Sequence, residues 1–153
     1  MFSFFKKDKS LLPSADCAVV VSAVKEAERL TTGEIRVYIE SHCPMVNPID
    51  RCEQLFVQLN MHETKEQNGV LIYLALRDRQ FAIAGDRGIN ELVGGNAYWQ
   101  QAAESLKGFL KKGAIAEGIA SCVRSVGNSL ATHFPYKGGD NINELPDEIV
   151  FGK

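Results

Sequence analysis

The sequence lacks long apolar runs, a dominant charge and paired cysteines. No apolar stretch approaches the roughly 20 residues that cross a bilayer, so we expect no membrane span. The formal net charge is −2 and the lysines and arginines are scattered, which argues against a nucleic-acid partner. The four cysteines form no C-x-x-C pair, so neither a zinc site nor a disulfide framework is expected. The first residues lack the apolar centre of a secretion signal, and we expect a cytoplasmic protein.

The motifs of common enzyme and cofactor sites are also missing. The chain contains no G-x-S-x-G elbow, no Walker-type loop and no G-x-G-x-x-G fingerprint, which argues against the usual hydrolase, nucleotide and dinucleotide sites. The three histidines have no ligand spacing, and His62-Glu63-Thr64 does not extend to H-E-x-x-H. We therefore expect no nucleotide or haem cofactor.

The size of the chain predicts one domain. It has 153 residues, of which 45% are hydrophobic, as is usual for globular proteins. We divide it into an N-terminal segment (1–13), an α/β domain (14–136) and a C-terminal tail (137–153). The aromatic and lysine-containing start is too short to anchor strongly, which leaves only weak contact with a membrane surface open. The apolar tail residues are compatible with an edge strand or with disorder.

Hydrophobic periodicity switches between helix and strand along the domain. Apolar positions at three- and four-residue steps predict helices, whereas alternating or continuous apolar runs predict strands. The first half of the domain is predicted to contain a helix capped by Ser14 and ending near Thr32, a strand over 34–41, and a helix from Asn47-Pro48 to about Asn60. A central strand over 70–76 and a strand over 81–84 follow. After a helical turn come one helix that carries Trp99 to Leu110 and ends at Gly113, and another from Ile115 that stops before Pro135.

The connections define the sheet. The segment between the first two strands is long enough for a right-handed parallel crossover. The short connection Arg77-Asp78-Arg79-Gln80 predicts an antiparallel hairpin. The sequence therefore predicts an α/β fold in which helices cover a mixed sheet.

This topology gathers Glu34, Asn68-Gly69 and Asp86 at one end of the sheet. Asp86 lies between Gly85 and Gly88, where a carboxylate and backbone carbonyls can approach calcium or magnesium. Glu91 is within reach of the same cluster. In the alternative interpretation Asp86 caps the next short helix, Asn68-Gly69 forms a turn, and Glu34 and Glu91 are solvated.

The opposite end of the sheet is a competing location for a site. It receives Ser41, His42, Arg77, Asp78 and Arg79, and ligands of open α/β sheets usually bind beyond the carboxyl ends of parallel strands. Two arginines there can hold a phosphate, whereas solvated charges at a hairpin tip are the simpler interpretation.

Several stretches together resemble the TPM domain family. They are Asn68 to Leu74, the hairpin Arg77 to Gln80, and Phe81 to Ile89, supported by Thr32 to Val37 and by Gly113 to Gly118. The likeness extends from the first helix to about His133. It implies a three-layer α/β/α sandwich with a mainly four-stranded sheet, and the chain resembles the short bacterial branch without signal peptide or membrane anchor.

The resemblance also implies chemistry. Family members are associated with weak divalent-metal binding and, for some, acid phosphatase activity. We carry Asp86, Asn68, Glu34 and Glu91 over as metal ligands. Gln67 departs from the pattern, because the family has an acidic residue there, and a neutral amide weakens cation binding.

Three functions follow as hypotheses. The first is weak binding of calcium or magnesium near Asp86 by a module that acts through an unidentified protein partner. The second is a metal-assisted phosphatase, in which Asp86 holds the cation and Arg87 neutralises phosphate charge, although no nucleophile is evident. The third is a purely structural interaction domain.

Overall fold

A computed structural model of the chain describes residues 11–138 and 144–152. Helices and strands alternate along the first half of the chain, and helices then follow the sheet. The elements are α1 (Ser14–Glu28), β1 (Glu34–Glu40), α2 (Pro48–Gln58), β2 (Gly69–Ala75), β3 (Gln80–Gly85), α3 (Arg87–Val93), α4 (Asn96–Glu104), α5 (Leu106–Lys111), α6 (Ile115–His133) and β4 (Val150–Phe151). No helix within the described residues is long and apolar enough to span a bilayer.

The four strands form one mixed sheet in the order β3-β2-β1-β4. β1 is parallel to β2 and to β4, whereas β2 and β3 are antiparallel. All seven residues of β2 are buried, as a continuous apolar run predicts for a central strand. The parallel pairing of β1 with β2 and the hairpin are therefore confirmed. Of the two alternatives for the tail, the structure shows an edge strand over Val150–Phe151.

Helices cover both faces of the sheet, which confirms the three-layer α/β architecture. One core contains Ile35 and Ile72 of the sheet, with Val24 of α1, Trp99 of α4 and Val123 of α6. The other core joins the opposite face of the sheet to α2 and, through Leu145, to the tail. The polar face of β1 is covered rather than open to solvent, since Glu34, Tyr38 and Glu40 are buried and Arg36 is half-buried.

Two predicted helix boundaries are also wrong. Ser14 lies inside the first turn of α1, and the preceding residue is Pro13, which provides no side-chain cap. The helix predicted from Trp99 to Leu110 is divided at Ser105, whose hydroxyl donates to the Ala102 carbonyl oxygen at 2.8 Å. Hydrogen bonds from a side chain to a nearby backbone carbonyl compete with the backbone hydrogen bonds of the helix. By contrast, Asn47 caps α2 as predicted, since its Oδ1 accepts the Ile49 N–H at 2.9 Å.

The tail docks against the edge of β1 through backbone and carboxylate contacts. Glu34 accepts the backbone N–H groups of Glu144 and Leu145 at 3.2 and 3.0 Å, and its side chain is buried. The interpretation of Glu34 as a solvated residue is therefore wrong. Burial, opposed by these hydrogen bonds, raises its pKa to about 7. The docked tail converts an open edge of the sheet into a covered one.

A second carboxyl group, Glu28 at the end of α1, connects the helix to the same region. Its Oε2 accepts the Ile35 N–H at 2.7 Å, and its side chain is hydrogen-bonded with Asp147 of the tail. The pKa of Glu28 is raised to about 10. Burial is the largest cause, and the hydrogen bond with the Asp147 carboxyl group is the second. The folded protein therefore holds a proton here that the unfolded chain releases near the ordinary glutamate pKa.

This proton makes stability depend on pH. Because the folded state binds the extra proton, Glu28 should make the free energy of unfolding fall as pH rises from about 5 towards 9, by at most about 1.4 kcal/mol per pH unit for this one group. Glu34 should add a further fall up to about pH 7. Urea denaturation at pH 5, 7 and 9 should show a smaller fall for Glu28→Gln than for the wild type, and the variant should be more stable at pH 9. Glu26→Gln, an exposed change on the same helix, is the control. Equal slopes in all three proteins would contradict the assignment.

Candidate functional site

The register places three predicted site positions side by side. Glu34 on β1 is paired with Gly69 on β2, and the Gly69 carbonyl oxygen accepts the Asp86 N–H at 2.8 Å just after β3. The segment before β2 and the turn after β3 therefore lie at the same end of the sheet. This end contains the starts of β1 and β2, as the predicted topology requires.

Asn68 is completely buried in the loop before β2. Its backbone N–H donates to Thr64 Oγ1 at 3.3 Å, and its Nδ2 donates to Thr32 Oγ1 at 3.2 Å. The Thr32 hydroxyl is in turn hydrogen-bonded to the Glu66 carboxylate, which also accepts from Lys137 Nζ at 3.1 Å. A hydroxyl has one proton, so Thr32 donates it to Glu66 and accepts from Asn68. This network fixes the orientation of the amide and leaves Asn68 Oδ1 without a hydrogen-bond partner among the described residues.

Asp86 is the N-cap of α3. Its Oδ1 accepts the Arg87 N–H at 2.8 Å, and its backbone carbonyl accepts N–H groups of Ile89 and Asn90. The capping interpretation is therefore confirmed, but it uses only one carboxylate oxygen. Asp86 Oδ2 is buried and has no partner within the described residues. The cap and a ligand are compatible, since they engage different oxygens.

Two backbone carbonyls face the first turn of α3. A Cβ atom added to Gly88 would lie 2.3 Å from the Glu66 carbonyl oxygen and 2.5 Å from that of Gln67. Gln67 has a positive φ of 52°, which turns the loop towards α3. Glycine at position 88 permits this approach. Sequence reasoning missed these carbonyls, because a backbone oxygen has no side-chain signature; the close glycine is the only local signal.

The other two predicted ligands are arranged differently. The Glu34 carboxylate is occupied by the two tail N–H groups, and the Glu91 side chain is exposed on α3. Within the described ranges, no group of three or more His, Cys, Asp and Glu side chains is arranged to hold a metal. The structure thus places the loop of Asn68 beside the turn of Asp86, with the Glu66 and Gln67 carbonyls against Gly88. The roles of Asn68, Asp86, Glu34 and Glu91 as ligands stay predictions.

The opposite end of the sheet is occupied by a paired charge cluster that the sequence analysis missed. Glu40 at the end of β1 is buried and accepts Arg51 Nε and Nη2, both at 2.9 Å, and the Tyr73 hydroxyl at 2.5 Å. The hydrogen bond with Glu40 raises the pKa of Arg51, so the guanidinium group stays charged. Because every member has a partner, this cluster is structural.

At the hairpin tip, Asp78 is exposed but hydrogen-bonded to the loop after β1. Asp78 accepts the Cys43 N–H at 2.6 Å and is paired with His42 Nδ1 at 2.8 Å. The bond to His42 is the main cause of the lowered pKa of Asp78. These contacts join the hairpin to the loop after β1. Binding of a phosphate by Arg77 and Arg79 stays a prediction.

The Glu40 cluster predicts a large effect of removing one partner. Arg51→Leu leaves a buried carboxylate without its counter-charge, which should lower the free energy of unfolding by about 3 kcal/mol. The double variant Glu40→Gln/Arg51→Leu keeps an acceptor for Tyr73 without the charge, and should be at least about 1 kcal/mol more stable than the single variant. Urea denaturation measures both. A single variant within about 0.5 kcal/mol of wild type would contradict the assignment.

Comparison with known proteins agrees with this architecture. The BA42 protein of the psychrophilic bacterium Bizionia argentinensis, solved by NMR, is 38% identical; the match covers 92% of this chain and 95% of that one, with a TM-score of 0.81. The N-terminal domain of the cg2496 protein of Corynebacterium glutamicum, 19% identical, has a TM-score of 0.62 over 84% of this chain and 78% of its own, and so shares the fold. No protein of curated function matches the sequence.

The family assignment rests on the sequence as well as on the fold. The family model described as the TPM domain matches residues 6–129. That range includes α1 to α5, the first three strands and most of α6, and therefore both loops that contain Asn68 and Asp86. The chain belongs to the TPM domain family.

Proposed function

We propose that this protein is a weak divalent-cation-binding module that acts through a protein partner. Calcium or magnesium is held by Asp86 Oδ2 and Asn68 Oδ1, and the backbone carbonyls of Glu66 and Gln67 complete the protein's share of the ligands. All four donors are hard oxygens, the type that both cations prefer.

One observation carries the proposal. The described part of the chain contains three buried side-chain atoms without a hydrogen-bond partner, and two of them are Asn68 Oδ1 and Asp86 Oδ2. A buried polar atom without a partner is costly and calls for a water or an ion. Both atoms are oxygens in the loops joined by the bond between Asp86 and Gly69. Because both atoms are oxygens, one bound cation explains them better than two separate packing defects.

The ligand set explains why binding should be weak. Asp86 supplies the only carboxylate among the four donors, and Gln67 adds none from its side chain. Affinity for calcium rises with the number of charged ligands, and weakly charged sites have dissociation constants of about 0.1–1 mM. Calcium should bind more tightly than magnesium, because it tolerates irregular geometry and more carbonyl ligands, whereas magnesium gives up its waters reluctantly.

Phosphatase activity is the second candidate function. The supporting feature is Arg87, an exposed residue beside Asp86 where it can neutralise a phosphate near the cation. Against it, within residues 11–138 and 144–152 the structure gives Asp86 no hydrogen bond to a serine, cysteine or histidine side chain that would serve as a nucleophile or base. A water activated by the metal would have to take that role.

An NMR titration tests the cation site. Adding calcium to the metal-free protein should cause saturable amide shifts at Gln67, Asn68 and Asp86 with a dissociation constant of about 1 mM. Asp86→Asn keeps a capping oxygen but removes the charge, and should weaken binding at least tenfold. Asp50→Asn, an exposed change in the first turn of α2, should leave it unchanged. If no amide shifts at 10 mM calcium or magnesium, the proposal fails and a structural interaction domain is the better account.

A phosphatase assay distinguishes the two candidate functions. We expect no hydrolysis of p-nitrophenyl phosphate above the rate of the Asp86→Asn variant, with magnesium or calcium present at saturation. A metal-dependent rate that is lost in both Asp86→Asn and Arg87→Gln, but kept in Asp50→Asn, would instead select the phosphatase.

A further inference from the structure

Among residues 11–138 and 144–152, β3 is an edge strand with no partner on its outer side. In the order β3-β2-β1-β4 the tail covers the other edge, and no described residue pairs with the outer side of β3. The Asp86 N–H bonds directly to its partner Gly69, and hydrogen-bonded pairs alternate along an antiparallel ladder. Ala82 and Ala84 therefore bond to β2, whereas the backbone N–H and C=O groups of Phe81 and Ile83 point outward.

Within β3 itself, none of the features that usually block pairing with another strand is present. Natural edge strands are commonly blocked by lysine, proline, a bulge or a covering segment. Gln80–Gly85 contains no charged residue and no proline, and its pairing with β2 continues one for one without a bulge. The edge therefore presents regular, unpaired backbone groups about 7 Å apart, the spacing of alternate residues in a strand.

A groove of about 530 Å³ runs along the same edge. Its floor is formed by Phe81, Ala82 and Ile83, so it opens onto the outward backbone groups. The α2 wall contains Pro48 and Ile49. The α4 wall contains Asn96, Ala97, Gln100, Gln101 and Glu104. The strand edge thus lies in a gap between the two helical layers.

We propose that this groove binds an extended peptide segment of a partner protein by adding a strand to β3. The outward groups of Phe81 and Ile83 require a strand-like ligand, because only an extended backbone matches their spacing. A second copy of this chain fits less well, since its own β3 edge is recessed between the same helical walls. A single extended segment is thin enough to enter the gap.

The two walls determine which sequence the groove prefers. Side chains of an added strand point alternately to the two faces of the sheet. On one face they meet Pro48, Ile49 and Ala82, which favours apolar residues. On the other face they meet Ala97 and the side chains of Phe81 and Ile83 as well as the amides of α4, which favours side chains with an apolar stem and a polar or basic end. Glu104 is on this face, and its carboxylate is paired with Lys107 at 3.0 Å; because this ion pair is exposed and weak, a lysine or arginine of the peptide can share the carboxylate. The preferred ligand alternates apolar and polar or basic residues. This proposal does not depend on the cation site.

Peptide selection followed by hydrogen exchange tests the proposal. Random decapeptides displayed on phage are selected against the full chain, and the recovered peptides are synthesised as probes. They should share apolar residues at every second position with a basic residue between them. A bound peptide should slow amide exchange at Phe81 and Ile83 at least tenfold, while Ala82 and Ala84, already bonded to β2, change much less.

Variants on the groove wall provide the controls. Ala97→Trp fills the groove from an exposed helical position, and should weaken peptide binding at least tenfold. Ala18→Trp, an exposed position on α1 outside the groove, should leave binding unchanged and shows whether a surface tryptophan harms the fold. Glu104→Lys should weaken binding of the basic peptides several-fold, which keeps the proposal testable if Ala97→Trp unfolds.

Three results would overturn the proposal. The first is recovery of no peptide, or of peptides whose apolar residues recur every three to four positions. The second is protection of amides elsewhere while Phe81 and Ile83 stay unprotected. The third is a dimer in sedimentation whose formation slows exchange at Phe81 and Ile83 without any peptide, which would assign the edge to a second copy.

Discussion

The burial of β2 on both faces and along both edges is the constraint on which this structure depends. A strand with no exposed residue needs hydrogen-bonding neighbours on each side and a helical layer on each face. β1 and β3 provide the neighbours, one parallel and one antiparallel. This arrangement brings the loop before β2 and the turn after β3 together, so the position of the candidate site follows from the way the central strand is paired.

The two ends of the sheet resolve their buried polar groups in different ways. At the end of β1, Glu40 has both a cation and a hydroxyl as partners, and its charge is fully used by the fold. At the start of β2, the network from Asn68 through Thr32 to Glu66 uses the amide nitrogen and leaves its oxygen. The buried carboxylate at one end of the sheet thus has hydrogen-bond partners, whereas the buried oxygens at the other end have none among the described residues. The two oxygens without a partner among the described residues are the basis of the proposed cation site.

The sequence predicted what depends on local pattern. The continuous apolar run of β2, the hairpin and the cap at Asn47 all have signals within a few residues, and all three are confirmed. Glu34 was misjudged because its partners, Glu144 and Leu145, are more than a hundred residues away. The carbonyls of Glu66 and Gln67 could not be predicted, because their direction depends on the packing of Gly88. Asp86 and Asn68 could be proposed from the sequence because carboxylate and amide side chains are visible in it, and their role as ligands stays a prediction.

The central claim is that a cation, rather than a water molecule, satisfies the two unpaired oxygens. A crystal structure grown in 10 mM calcium, with an anomalous difference map, distinguishes the two directly. The account predicts an anomalous peak bonded to Asp86 Oδ2 and Asn68 Oδ1 at about 2.3–2.6 Å, with the Glu66 and Gln67 carbonyls in the same shell. A peak without anomalous signal, about 2.8 Å from both oxygens, would be a buried water and would contradict the account.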